Sequence, residues 1–316
     1  MNIYVRQDYK TVSEAVSAAN DGDTIIIPSG IYREKITVTK KDLSFVGEGV
    51  VTLTYDGASG EPDRLGGVYD TFSSATVTIT ETAENFKAEN ITFENSYNRV
   101  DGDVPVTQAV ALSCGADGAA FYNCNFLGWQ DTLYLHGDSK QFFLDCYIEG
   151  SVDFIFGDSS VLFEDCDINC LRSKSYITAA NTGEDNPVGF VFYHCYISAN
   201  SNCGEIYLGR PWRAERPGIN SATAFIECTY NADMAPAGWL PWRLEAGTEK
   251  SNTRYFEYKN TDSSGSLADT RGRAEWSKQL TRDEAEDIMR YIGQFAKYPD
   301  DVIDDHEEHC DHEHHQ

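Results

Sequence analysis

Gln108 and Gln130 are 22 positions apart, and so are Asp131 and Asp153, and Cys124 and Cys146. An interval shared by an amide pair, a carboxylate pair and a thiol pair suggests successive turns of a coil, with like side chains stacked. Strands stacked in a parallel sheet lie about 4.8 Å apart, so equivalent residues one coil apart become neighbours. Two adjacent carboxylates do not both ionise easily and tend to hold one proton between them, which leaves one acid and one base. The plainer alternative is that Asp131 and Asp153 are ordinary turn residues. Against it, Gly128-Trp129-Gln130-Asp131-Thr132-Leu133-Tyr134 and Val152-Asp153-Phe154-Ile155-Phe156-Gly157 surround them with bulky apolar groups, a poor setting for a merely solvated acid. Perturbed carboxylates in clefts are candidate sites.

Other catalytic chemistries find less support. Outside the C-terminal tail the histidines are His136 and His194, and there is no Gly-x-Ser-x-Gly elbow. A hydrolase built on serine or cysteine needs a histidine beside its nucleophile. His194 adjoins Cys195 in a repeat unit, which suits a structural role. The tail cluster His306, His309, Cys310, His312, His314 and His315 could hold zinc or nickel, but it lacks fixed ligand spacing and reads as a solvated tail, so no metal site is expected.

The elements that must position these residues are short strands. Units of apolar, polar, Cys, variable, apolar surround Cys124, Cys146, Cys166, Cys195 and Cys228, with steps of 22, 20, 29 and 33 residues. Periods in this range mark solenoids, in which neighbouring repeats complete each other's core. Alternation rich in Tyr, Phe, Ile and Val favours strands, so the expected fold is all-β, a parallel β-helix. The repeat cysteines should point inward as an unpaired ladder, because a buried free thiol behaves as a compact hydrophobe. Thr11 to Asn20 carries Val12, Ala15, Val16 and Ala19 at helical spacing and should cap the first coil. Thr24–Pro28 and Lys35–Val38 read as strands separated by a Gly-containing turn. Residues Tyr55 to Asp70 and Asn95 to Val106 read as loops shaping a cleft. Thr281-Arg282-Asp283-Glu284 has a capping pattern and opens a helix expected along the side of the coil.

One elongated domain over residues 1–297 is expected, followed by an acidic, His-rich tail over 298–316 that reads as disordered. The net charge is −26 over 316 residues, a surface ill suited to neutralising nucleic-acid phosphates. No apolar run approaches the roughly 20 residues needed to span a bilayer, so no membrane partner is expected. The start, Met-Asn-Ile-Tyr-Val-Arg, lacks the basic and apolar regions of a signal peptide. The expected location is the cytoplasm, or outside the cell if a leader has been trimmed from a longer chain.

Four ordered blocks carry a family resemblance: Gln108-Ala109-Val110-Ala111-Leu112, Gly128 to Tyr134, Val152 to Gly157, and Tyr207-Leu208-Gly209-Arg210-Pro211-Trp212. Together they resemble the signature blocks of pectin methylesterases, the pectinesterase family of carbohydrate esterases, and the likeness runs from Thr11 to the Leu280–Ile292 helix. The resemblance implies a right-handed parallel β-helix that removes methyl esters from galacturonan and takes part in pectin degradation and cell wall modification. It implies no cofactor. Carried over, Asp153 is the nucleophile, Asp131 the general acid and then base, Gln108 and Gln130 the oxyanion donors, and Arg210 the partner that keeps Asp153 ionised. Trp212, Trp239 and Phe156 would form walls for sugar faces. The sequence departs from the pattern at Trp129, where Tyr is common, at Ser151, where Thr is common, and over Arg213 to Ala237, which is less typical.

The expected partner is therefore methyl-esterified galacturonan or an oligogalacturonide, met by a monomer. In the cytoplasm, imported short oligomers would be the natural substrate. Three other readings stand beside this one: a related β-helix esterase or thioesterase with another acyl substrate, a non-catalytic carbohydrate-binding β-helix, and a lyase or polygalacturonase, for which neither a calcium cluster nor inverting acids are evident.

Overall fold

A computed structural model describes residues 1–97, 107–213, 215–242 and 253–299. Their strands pair in parallel throughout the named ladders, in a sheet of 18 strands and a second of seven, with one helix near each end of the described chain. A typical coil passes through Leu133–Leu135, Lys140–Leu144 and Tyr147–Gly150, and then returns to Ile155–Gly157. Leu133 lies opposite Ile155, and Asn125 opposite Tyr147, so the 22-residue interval is one full coil. The molecule is a parallel β-helix, as the repeat predicts.

The polar residue before each repeat cysteine makes a corner. Asn123, Asp145, Asp165, His194 and Glu227 all have positive φ, between 48° and 53°. Asn and Asp are among the few non-glycine residues that enter this region readily, which explains part of the repeat's composition. The corner turns the following cysteine inward. Cys124, Cys146, Cys166, Cys195 and Cys228 are buried and free, and Cys146 donates from Sγ to the Phe121 carbonyl of the coil before it at 3.5 Å. His194 stands on this corner ladder between Asp165 and Glu227, with Nε2 3.3 Å from Glu227, consistent with its structural reading.

Inside, Phe121, Phe143, Phe163, Phe192 and Phe225 form a continuous stack, with centroids 4.6, 4.9, 4.6 and 4.4 Å apart. Each ring buries its full apolar surface, and aromatic pairing adds about 0.5–1.5 kcal/mol per contact beyond that burial. Coils approach closely where the side chain is absent. At Gly157, with φ 128°, a Cβ would lie 1.8 Å from the Leu135 carbonyl oxygen, so that coil junction requires glycine.

The N-terminal helix, Val12–Ala18, has a capping box between Thr11 and Glu14 and buries Val12, Ala15 and Val16 in the core. It covers the first coil. The C-terminal helix, Arg282–Gly293, capped by Thr281 and Glu284, lies on the side of the solenoid against strand Ser160–Glu164. One expectation needs correction: Thr24–Arg33 is a single strand rather than a strand and a turn. Its neighbour Ser44–Tyr55 pairs along the whole length, and a register shift between Pro28 and Gly30 absorbs the missing proline N–H. Tyr55 ends a strand, and the following residues to Asp70 form the expected loop. Asn95 likewise ends a strand, while residues 98–106 of the second expected loop lie outside the described residues. So do residues 300–316, with the histidine cluster.

Candidate active site

The seven-stranded sheet carries the site at the start of its middle strands, Leu133–Leu135 and Ile155–Gly157. Gln108 bridges Gln130 in parallel, and Ala109 donates its N–H to the Gln130 carbonyl at 3.1 Å. One position further on, Asp131 donates its N–H to the Val152 carbonyl at 3.1 Å, so Asp131 and Asp153 occupy matching places on consecutive coils. Both aspartates have left-handed backbones, φ 63° and 50°. The bend lifts each carboxylate out of the ladder just before its strand enters the sheet.

Gln108, Gln130, Asp131, Asp153 and Arg210 line a single groove of about 280 Å³. Phe156 and Trp212 line it too, with centroids 5.6 Å apart, and Thr71, Phe72 and Trp242 complete its walls. Both carboxylates are nearly enclosed, Asp131 being 8% and Asp153 5% exposed. Arg210, which follows strand Tyr207–Gly209, reaches back over two coils to Asp153. Its Nε donates to Oδ1 at 2.8 Å and its Nη2 to Oδ2 at 2.7 Å. A planar guanidinium matches a carboxylate in this two-point geometry better than any other cation. Tyr176 and Trp242 hold it there from opposite sides in sequence, their ring centroids 4.3 and 4.4 Å from its Cζ.

These surroundings separate the two acids. Burial pushes the Asp131 carboxyl well above the usual range, the charge of Asp153 pushes it further, and Arg210 offsets only part of this. Burial also raises Asp153, but the hydrogen bonds and charge of Arg210 pull it back. Burial lowers the Arg210 guanidinium, and the bonds and charge of Asp153 more than restore it. Arg210 thus favours the ionised form of Asp153, while burial and the Asp153 charge favour the protonated form of Asp131. The Thr107 hydroxyl donates to Gln108 Oε1 at 3.1 Å, which leaves the amide NH₂ of Gln108 as the end able to donate elsewhere.

One expected wall residue is elsewhere. Trp239 is 1% exposed and packs in the core against Tyr255, with centroids 4.5 Å apart. It bridges Gly209 within the coil, and this pairing turns its indole inward, away from the groove. The tryptophan beside Arg210 is Trp242, which the sequence reading passed over. The pattern Trp239-Leu240-Pro241-Trp242 offered two candidates with no period to choose between them. Tyr176 was legible in principle, because the register that pairs Ile155 with Thr178 sets it one coil beyond Asp153. His136 stacks on Tyr134 at 4.4 Å with Nε2 3.3 Å from the Ser113 hydroxyl, and it does not line the groove.

Comparison with known proteins decides the family. Residues 3–297 match the family Pectinesterase. The chain belongs to the pectinesterase family. It is an enzyme, a carboxylic ester hydrolase acting on pectin. Pectinesterase 31 of Arabidopsis thaliana is 39% identical over 289 residues, covering 88% of this chain and 86% of the relative. Among solved structures, the carrot pectin methylesterase superposes with a TM-score of 0.76 at 32% identity, covering 94% of this chain and 96% of that one. A pectin methylesterase in complex with a hexasaccharide superposes with a TM-score of 0.78 at 26% identity, covering 93% and 96%. This pectinesterase therefore shares the parallel β-helix of its relatives over nearly its whole described length.

Proposed function

We propose that this pectinesterase hydrolyses galacturonate methyl esters in two steps, with Asp153 as nucleophile and Asp131 as acid and base. The ionised Asp153 attacks the ester carbonyl, and an acyl bond to its carboxylate oxygen forms. As the tetrahedral intermediate collapses, the C–O bond to the methoxy group breaks and Asp131 gives its proton to departing methanol. Asp131, now ionised, takes a proton from water, whose oxygen attacks the acyl carbon. Asp153 leaves as a carboxylate, and the product is a free galacturonate acid.

Negative charge on the carbonyl oxygen is met by the amides of Gln108 and Gln130, stacked one coil apart. Such donors, aimed at charge that develops in a water-poor cleft, are worth about 3–4 kcal/mol each in the transition state. Arg210 keeps the nucleophile ionised and oriented. Trp212 and Phe156 give the sugar an apolar face, joined by Trp242. The substrate is methyl-esterified galacturonan or its oligomers, and a relative bound to a hexasaccharide supports a carbohydrate chain in this groove.

The observation that carries this reading is one groove holding a carboxylate clamped by arginine beside a buried carboxyl with no arginine of its own among the described residues. Methanol release from methylated pectin tests it, with single-turnover trapping of an acyl group on Asp153 as the decisive second measurement. Methanol formation with no acyl transfer to Asp153 would remove the nucleophile assignment.

A further inference from the structure

Arg210 extends from Tyr207–Gly209, the strand at one end of the seven-stranded sheet. On one side the sheet holds it, and Arg210 donates its N–H to the Thr178 carbonyl at 3.0 Å. On the other side lies an irregular rung over residues 233–240, joined to the strand by bridges at Ile206 with Met234 and at Gly209 with Trp239. Leu208 donates its N–H to the Gly238 carbonyl at 2.8 Å, and Leu240 donates to that of Gly209 at 3.1 Å. Two residues after Leu240, Trp242 lays its ring on the Arg210 guanidinium. The rung therefore reaches the clamp of Asp153 twice, through the backbone just before Arg210 and through its side chain.

Arg273 holds the far side of this rung. Its Nη1 donates to the carbonyls of Ala235 and Pro236 at 3.4 and 3.1 Å, and the Ala274 N–H donates to the Ala237 carbonyl at 2.9 Å. The fit is tight: a Cβ at Gly238, where φ is 64°, would lie 2.6 Å from Arg273 Cδ. Glu257 fixes Arg273 in turn, accepting from Nε on Oε1 at 2.7 Å and from Nη2 on Oε2 at 3.2 Å. Tyr230 and Gln279 donate to the same carboxylate at 3.1 and 3.3 Å. Both charges are enclosed, the Arg273 side chain being 6% and that of Glu257 1% exposed. Desolvating two charges offsets much of their attraction, so such a pair adds little stability by itself. What it does fix is the place of the rung.

We propose that Arg273 is a positioning residue for the esterase reaction: anchored by Glu257, it sets the 233–240 rung so that Gly209 and Trp242 hold Arg210 in line with Asp153. This rests on the reading of Asp153 as nucleophile and adds a residue that does not line the groove. A two-point clamp is sensitive to small displacements, because both N–H···O bonds must stay aligned at once. A shifted rung should loosen the clamp, let the Asp153 carboxyl keep its proton to higher pH, and slow the chemical step.

The test follows methanol release across pH in Arg273→Lys and Gly238→Ala, beside wild type and Arg210→Gln. Lysine keeps the charge next to Glu257 but lacks the planar fork that reaches carboxylate and carbonyls together. Alanine at 238 pushes the rung off Arg273 and leaves the ion pair whole. Each variant should lower kcat by about tenfold with KM within about twofold of wild type. Each should also move the acid limb of kcat/KM to higher pH, in the direction of Arg210→Gln but by less. A purely structural role would lower the melting temperature and leave the limb alone. Wild-type kcat with an unmoved limb in either folded variant overturns the proposal. If the limb stays in place even in Arg210→Gln, the nucleophile reading fails instead. The kcat of the two folded variants then judges the positioning role alone, and a wild-type value refutes it.

Discussion

Arg210 and Asp153, 57 positions apart in sequence, meet through two parallel N–H···O bonds, while Asp131, one coil from Asp153, has no such partner among the described residues. The asymmetry puts two chemically identical side chains in unlike surroundings, Arg210 favouring charge on Asp153 and burial favouring a proton on Asp131. It also makes the pair's behaviour testable from either side.

Asp153→Asn keeps the size and the left-handed corner but removes the negative charge. Methanol release should fall by at least about 10³-fold, since a nucleophile rarely has a substitute. Circular dichroism and thermal melting should still report a folded solenoid. A variant retaining a tenth of wild-type turnover would contradict the assignment.

Arg210 pulls the Asp153 carboxyl down, so its removal should raise it. On the proposed mechanism activity requires Asp153 ionised and is lost as pH falls through its titration. In Arg210→Gln the acid limb of the kcat/KM profile should therefore move to higher pH, alongside a lower maximum. An unmoved acid limb would show that the limb belongs to another group.

Asp131 is raised in the folded protein, so the folded state holds a proton that the unfolded chain releases at ordinary carboxylate pH. Its contribution to stability is fully present below the unfolded pKa and is lost as pH rises through the folded one. Asp131→Asn removes that dependence. Its melting temperature relative to wild type should rise between about pH 4 and pH 8. A constant difference across this window would mean that Asp131 is not held protonated by the fold.

Gln130→Ala and Gln108→Ala should each lower kcat by about 10²-fold to 10³-fold with little change in KM, because on the proposed mechanism the donors act on charge present only in the transition state. Thr107→Val should produce a smaller fall by releasing the amide orientation of Gln108. Equal losses in KM and kcat would point to ground-state binding instead.

Two tryptophans three residues apart should fail in different ways. Trp239→Ala empties a core position and should cost about 3–5 kcal/mol in denaturant unfolding. Trp242→Ala uncovers one contact of the Arg210 guanidinium, worth about 0.5–2 kcal/mol, and should depress kcat/KM while leaving unfolding nearly unchanged. The reverse pattern would return Trp239 to the groove.

Much of the site was legible because a solenoid converts sequence interval into spatial adjacency. Once 22 residues is recognised as a coil, Gln108 with Gln130 and Asp131 with Asp153 follow from counting. The buried cysteine ladder follows for the same reason. What counting could not supply lay where the period lapses. Trp239 and Trp242 stand in a segment with a bridge rather than a strand, so their facing is set by pairing with Gly209 and by Arg210. Thr24–Arg33 looked interrupted at Pro28-Ser29-Gly30, and pairing with the longer strand Ser44–Tyr55 on both sides of the break keeps it extended.

The bends at Asp131 and Asp153 require a residue that tolerates a left-handed backbone, and aspartate and asparagine both do. On the proposed mechanism the scaffold's joints and the enzyme's reagents are the same two positions. A descendant with asparagine at either joint would wind up unharmed and be chemically silent. Inspecting those two letters is thus a simple way to tell working copies of this architecture from copies that survive only as shape.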